Sequence, residues 1–180
     1  MHDILLDACC LLNLYSTGRC SDILRVLGHR WHVCAAVVSE ALYTEVVREG
    51  RREREKLDVA GCIAAGLFTA CQPESDEEFA YYARYAAQLD DGEAMCLALA
   101  KCRSWTVATD ERKGRRVAKN ENIETTGTAA ILKSWGNKAG VSRDALREVI
   151  QSVMVLGHFR PPKDDPEIGW WRRNAPSDGE

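Results

Sequence analysis

Four carboxylates stand where a folded chain could use them together. Asp7 closes the short apolar run Ile4-Leu5-Leu6, and Asp110 closes Trp105-Thr106-Val107-Ala108-Thr109. Ligands of an open parallel sheet bind outside the carboxyl ends of its strands, so neighbouring strands would bring both aspartates to one crevice. Glu93 lies near the start of Gly92-Glu93-Ala94-Met95-Cys96-Leu97-Ala98-Leu99-Ala100. At helical spacing it shares a face with Cys96, Leu97 and Ala100, at the edge of an apolar stripe. Glu40 shares a face in the same way with Tyr43, Thr44 and Val47. Each acid also has a purely structural reading: Asp110 as a turn cap, Glu93 in a capping box with Asp90, Glu40 as a complement to a helix dipole. Crowded carboxylates, however, repel and raise one another's pKa, a conflict that a divalent cation resolves. A set of oxygen ligands without His or Cys selects Mg²⁺ or Mn²⁺ over zinc.

The elements that must position these acids alternate between strand and helix patterns. A strand at 4–6 runs into a mostly apolar helical stretch reaching Tyr15, and 32–38 reads as a second strand or strand end. Ser39 is a plausible N-cap for a helix over 39–57, with a charged surface from Arg48 to Lys56. A third strand at 66–71 is closed by Pro73, two helices follow over 77–88 and 92–102, and 105–109 is a further strand. The second half is helical, over 115–120, 128–138 and 142–156. Strands separated by helices imply a three-layer α/β/α sandwich with a central parallel sheet. The expected organisation is one domain over 1–156 and a tail over 157–180. The tail holds four prolines yet also Phe159, Ile168, Trp170 and Trp171, so its aromatics should dock on the same domain, on a second copy in a homodimer, or on another partner.

Composition agrees with a globular chain and excludes several classes. Of 180 residues, 46% are apolar and 28% charged, unlike a disordered, collagen-like or coiled-coil sequence. No run approaches the roughly 18 apolar residues of a membrane span, and the start lacks a basic then apolar leader, which together point to a cytoplasmic protein. The net charge of −3 announces no polyanion binder. Its distribution says more: 74–93 holds seven acids and one base, whereas 101–143 holds ten bases and four acids. That polarity suits a metal site beside a phosphate-binding surface, and equally two solvated faces. The eight cysteines form no C-x-x-C pair, and Cys9, Cys34, Cys96 and Cys102 sit among Ala, Val and Leu as small apolar filler rather than as zinc or redox groups.

The ordered set Leu6-Asp7-Ala8-Cys9, Ser39-Glu40-Ala41-Leu42, Asp91-Gly92-Glu93-Ala94, Ala108-Thr109-Asp110 with Arg112-Lys113-Gly114-Arg115-Arg116, and Thr126-Gly127-Thr128-Ala129 resembles a PIN-domain nuclease. The resemblance implies Mg²⁺- or Mn²⁺-dependent hydrolysis of RNA phosphodiesters, often by the toxin half of a toxin–antitoxin pair. It assigns Asp7, Glu40, Glu93 and Asp110 to an acidic quartet that holds the metal. Ala8 and Cys9 stand where a hydroxyl residue is common in that family. A metal so held activates water for in-line attack on phosphorus. Arg112, Lys113, Arg115 and Arg116 would then hold flanking phosphates, unless they only solubilise a helix face. Asn13 and Asp91 would support metal-bound water or serve turns and caps. Thr126 and Thr128 would bond in the site or cap a helix. A binding module with the same fold but no catalysis, and a receiver-type phosphoryl-transfer protein, are the competing classes; a Gly-rich phosphate loop, which the latter would need, is lacking.

Overall fold

The computed structural model describes residues 1–40, 42–48 and 50–176. In chain order the elements are β1 (Asp3–Leu6), α1 (Ala8–Ser16), α2 (Cys20–Leu27), β2 (Arg30–Cys34), α3 (Ala35–Ser39), β3 (Tyr43–Arg48) and β4 (Arg51–Lys56). They continue as α4 (Val59–Ala64), β5 (Thr69–Cys71), α5 (Asp76–Ala86), α6 (Asp91–Arg103), β6 (Thr106–Ala108), α7 (Arg112–Asn120), β7 (Thr125–Thr126), α8 (Thr128–Ala139), α9 (Arg143–Val155) and α10 (Ile168–Asn174). The chain divides into two compact units, one of 1–11, 28–41 and 58–127, the other of 12–27, 42–57 and 128–180.

The first unit holds a five-stranded sheet in the order β5-β2-β1-β6-β7, with every neighbouring pair parallel. Helices flank it in an α/β/α sandwich. Short runs such as Leu5-Leu6 and Val107-Ala108 can be apolar throughout because strands of such a sheet are covered on both faces. α6 is apolar almost all round for the same reason: Ala94, Cys96, Leu97, Ala98, Leu99 and Ala100 are all buried, against β1, β2, β6 and neighbouring helices. Asp90 caps its start, accepting from the Glu93 N–H at 2.8 Å, and Ser104 ends it at a φ of 55°. From the central β1 the chain builds outward through β2 and β5, then returns to β1's other edge with β6 and β7. The strand order therefore reverses between β1 and β6, and a parallel sheet opens a crevice at the carboxyl ends flanking such a point.

The second unit is built around α2, α8 and α9, with Ile23, Leu132, Trp135, Ile150 and Val153 buried in it. α10 packs on α8 and α9. Its Trp171 is 4% exposed and meets Phe159 edge-on at 5.7 Å between ring centroids, and Lys133 and Glu167 pair at 2.7 Å. The tail's aromatics thus dock within this unit.

The strand expected at 66–71 is confined to β5, α7 begins at Arg112 rather than Arg115, and α2, α4, β7 and α10 were not expected; two further elements differ in kind. The strand expected at 32–38 stops at Cys34, and 35–39 form α3. The helix expected over 39–57 is absent: Ser39 ends α3, donating from its hydroxyl to the Ala36 carbonyl at 2.7 Å, and the antiparallel hairpin β3–β4 follows. Thr44, Val46 and Val47 carry β-branched side chains that suit a pleated strand better than a helix. Gly50 takes a φ of +76° at the turn, where Arg48 and Arg51 are partners in register, a conformation that hairpin turns favour and most side chains resist. Ala41 and Glu49, inside the expected helix, and 177–180 of the tail lie outside the described residues. Among the described residues no helix is long and apolar enough to cross a membrane.

Candidate metal centre

β1 and β6 each deliver an acid to the sheet edge where the strand order reverses. The Asp7 N–H donates to the Ala108 carbonyl at 3.0 Å, so the two strand ends are joined where the aspartates begin. Asp7 is 3% exposed. Its Oδ1 accepts from the Ala8 N–H at 2.8 Å, and its Oδ2 accepts from the Thr109 hydroxyl at 2.9 Å and the Cys9 thiol at 3.2 Å. Burial raises its pKa above the ordinary carboxylate value in spite of these three donors, with the nearby Asp90 charge adding to the effect.

Asp110 is held differently. Arg115 pairs with its Oδ1 at 3.2 Å and donates through Nε to the Thr109 carbonyl at 2.8 Å, while Cys10 donates to its Oδ2 at 3.2 Å. Gly127 makes that pairing possible: a Cβ there would stand 1.9 Å from Arg115 Nη2 and 2.7 Å from Asp110 Oδ1. Glu93, in the first turn of α6, is 8% exposed, and its Oε1 is buried with no hydrogen-bond partner among the described residues. Its pKa is pushed up to about 7, first by burial, then by the charges of Asp90, Asp7 and Glu111, against a weaker opposing pull from Lys113. Glu40 follows α3. Although the residue as a whole is exposed, its carboxyl lies over Gly92, where a Cβ would stand 2.8 Å from Oε1, and this partial desolvation followed by Asp90, Asp7 and Asp91 raises its pKa.

Asp7, Glu40 and Glu93 thus feel one another or a common neighbour, and Cys9 links Asp7 Oδ2 to the Asp110 backbone N–H at 3.2 and 3.3 Å. Glu40 joins from the end of a helix, not from the start of one. Asp90, the fifth acid here, was visible in the sequence only as a cap; its neighbourhood to Asp7 follows from the sheet order, which spacing does not give. Thr109 and the thiols of Cys9 and Cys10 are further members that residue patterns missed. Cys9, expected as apolar filler, is half-buried beside two carboxylates, whereas Cys34 and Cys96 are fully buried, as filler should be.

Each of the expected supporting residues engages a neighbour. Asp91 is exposed and its Oδ1 accepts from the Tyr82 hydroxyl at 3.0 Å. Thr126 lies in β7, its carbonyl accepting from the Thr109 N–H at 3.1 Å. Asn13 belongs to the second unit, where it donates to the Thr128 hydroxyl at 3.2 Å. On α7, Arg112, Lys113 and Arg116 are exposed, whereas Arg115 turns inward to Asp110.

Residues 3–163 match the family model of the PIN domain, so the chain belongs to the PIN-domain family. No curated protein and no solved structure matches it. PIN domains are generally nucleases that act on RNA and use divalent metal ions. The donor set fits such an ion. It offers hard oxygens, and a buried carboxylate oxygen without a partner is the group a cation would satisfy.

Proposed function

We propose that the protein is an endoribonuclease whose Mg²⁺ or Mn²⁺ is held by Asp7, Glu40, Glu93 and Asp110. The observation that carries this reading is the unpartnered, desolvated carboxylate of Glu93 in a crowd of acids at the point where the strand order reverses. An ion bound there supplies charge neutralisation for the phosphoryl oxygens and a lowered pKa for the attacking water. The chain's own residues do the rest. Thr109 and the Ala8 N–H fix the Asp7 carboxylate, and Arg115 fixes that of Asp110, so the donors are preorganised. Arg112, Lys113 and Arg116 on the exposed face of α7 hold the RNA backbone on either side of the scissile phosphate. A role as the toxin of a toxin–antitoxin pair, with a protein antitoxin as partner, rests on the sequence resemblance alone.

The test is cleavage of labelled single-stranded RNA by purified protein in Mg²⁺ or Mn²⁺, with and without EDTA. Cleavage should require the ion and stop on chelation. Undiminished cleavage in EDTA would falsify the metal-dependent mechanism.

A further inference from the structure

Cys9 Sγ, Cys10 Sγ and a carboxylate oxygen of Asp110 all lie within 4.8 Å of one another. We propose that this thiol–thiol–carboxylate cluster is a second, thiophilic cation site, which takes zinc and, by recruiting Asp110, withdraws that residue from the acidic quartet. Binding stands on the cluster alone, whereas its inhibitory effect rests on the nuclease reading above.

The chemistry of the three groups points to a soft ion. Thiolates select zinc over magnesium and manganese, while the oxygen-only quartet has the opposite preference. Ligands about a tetrahedral zinc at the usual bond lengths stand roughly 3.5 to 3.8 Å apart, so the cluster need close only slightly around an ion. Cys10 Sγ is already 3.2 Å from Asp110 Oδ2, and Cys9 Sγ is 3.3 Å from the Asp110 backbone nitrogen and 3.2 Å from Asp7 Oδ2. Three protein ligands leave a fourth position for water or for Asp7. Cys9 is only half-buried, which gives an ion a way in. Binding releases two thiol protons to solvent and forms two Zn–S bonds and one Zn–O bond, with no change of oxidation state.

Backbone geometry disfavours the obvious alternative use of two thiols. Cys9 and Cys10 are consecutive in α1, so their Cα atoms are about 3.8 Å apart, closer than the roughly 4.4 to 6.8 Å that a disulfide spans without strain. Neighbouring cysteines held in a helix can share an ion but not a bond. Asp110 suits a shared role, because Arg115 engages its Oδ1 while Oδ2 is the oxygen that meets Cys10.

Cobalt(II) tests the site without reference to activity, since thiolate coordination gives it intense charge-transfer absorption. Titrated into the full-length protein under a phosphine reductant, Co²⁺ should develop that band to saturation at one equivalent, and zinc should bleach it. The band should vanish in Cys9→Ser/Cys10→Ser and persist in Cys62→Ser/Cys102→Ser. If circular dichroism shows that the double variant does not fold, the single variants decide, each expected to weaken cobalt by more than the ~100-fold that an outer-shell partner is worth. Absence of the band in the wild type, its survival in the Cys9 and Cys10 variants, or its loss in the control overturns the site. In parallel, Mg²⁺-supported RNA cleavage should be inhibited by stoichiometric zinc in the wild type and far less in Cys9→Ser/Cys10→Ser, each relative to its own zinc-free rate. Equal inhibition of both, or none, overturns the regulatory half. If no preparation cleaves RNA, the nuclease reading fails while the cobalt result still decides the site.

Discussion

Asp7 and Asp110 carry the same chemical group in environments that predict opposite responses to neutralisation. Asp7 is buried and its charge is opposed by desolvation, so Asp7→Asn should leave the ion-free protein with an equal or higher melting midpoint while abolishing cleavage. Asp110 is paired with Arg115, so Asp110→Asn should abolish cleavage and also cost about 1 kcal/mol of stability, the upper range for a partly exposed pair. Thermal melts beside single-turnover cleavage distinguish the two, and an Asp7→Asn protein that melts much lower would make that residue structural. Glu93 contributes to the pH dependence, in the same direction as the raised Asp7 and Glu40. Its folded pKa of about 7 lies above its ordinary 4.5, so the neutral acid is what the fold favours. That contribution is fully present below the ordinary value and is lost as pH rises through about 7. Melts of the ion-free protein should therefore fall between about pH 4.5 and pH 7, less steeply in Glu93→Gln, and added Mg²⁺ should restore the midpoint above that range. A slope identical in wild type and variant would detach Glu93 from it. Residue types and spacing pointed to Asp7, Asp110 and Glu93 as candidates, because strand-end aspartates and an acid at the edge of an apolar helix stripe are patterns in one dimension; Glu40 was singled out on a helical face with Tyr43, Thr44 and Val47 that the structure replaces with strand β3. Asp90, Thr109 and the two thiols were not, because their roles arise from neighbours brought together across the sheet.

At the scale of elements, α7 separates two kinds of cation. Arg112, Lys113 and Arg116 face solvent, whereas Arg115 is committed to Asp110 and the Thr109 carbonyl. Replacing the three exposed cations with Gln should weaken RNA binding and flatten its dependence on salt by up to about three charges' worth of counterion release. Arg115→Gln should instead lower ion affinity, measured by calorimetry without RNA. An unchanged salt slope in the triple variant would place the RNA surface elsewhere. The hairpin β3–β4 shows why one element was misread. Its second strand, Arg51–Lys56, has no apolar residue to mark a two-residue period, and a run of charges suits an exposed helix equally well. The strand character of Thr44, Val46 and Val47 and the turn at Gly50 were the available signals. Among the parallel strands, β1 and β6 announce themselves as short apolar runs closed by an acid, whereas β7, only Thr125 and Thr126, carries no such mark and was not expected.

The whole molecule adds a test of its end. Trp171 fills the second unit against Phe159, so Trp171→Ala should cost roughly 3 to 5 kcal/mol, as for other buried large aromatics, and truncation after Leu156 should destabilise the protein further. A truncated chain with an unaltered melt and unaltered mass in light scattering would reduce the segment to a tether. Prolines gave the break after α9, and the tryptophans gave the docking, but the surface they dock on depends on the packing of α8 and α9 and was not readable from order along the chain.

The central position of β1 also bears on biosynthesis. Leu5 pairs with Val107 and Asp7 bonds Thr109, contacts spanning about a hundred residues, so the first strand emerges from the ribosome long before its partner exists. Contacts so distant along the chain close late in folding. A nascent or prematurely ended chain that stops short of β6 carries Asp7, Glu40 and Glu93 but has no strand to bring the fourth acid beside them. If the four acids act together, a chain that ends before β6 should therefore neither hold the ion nor cleave RNA.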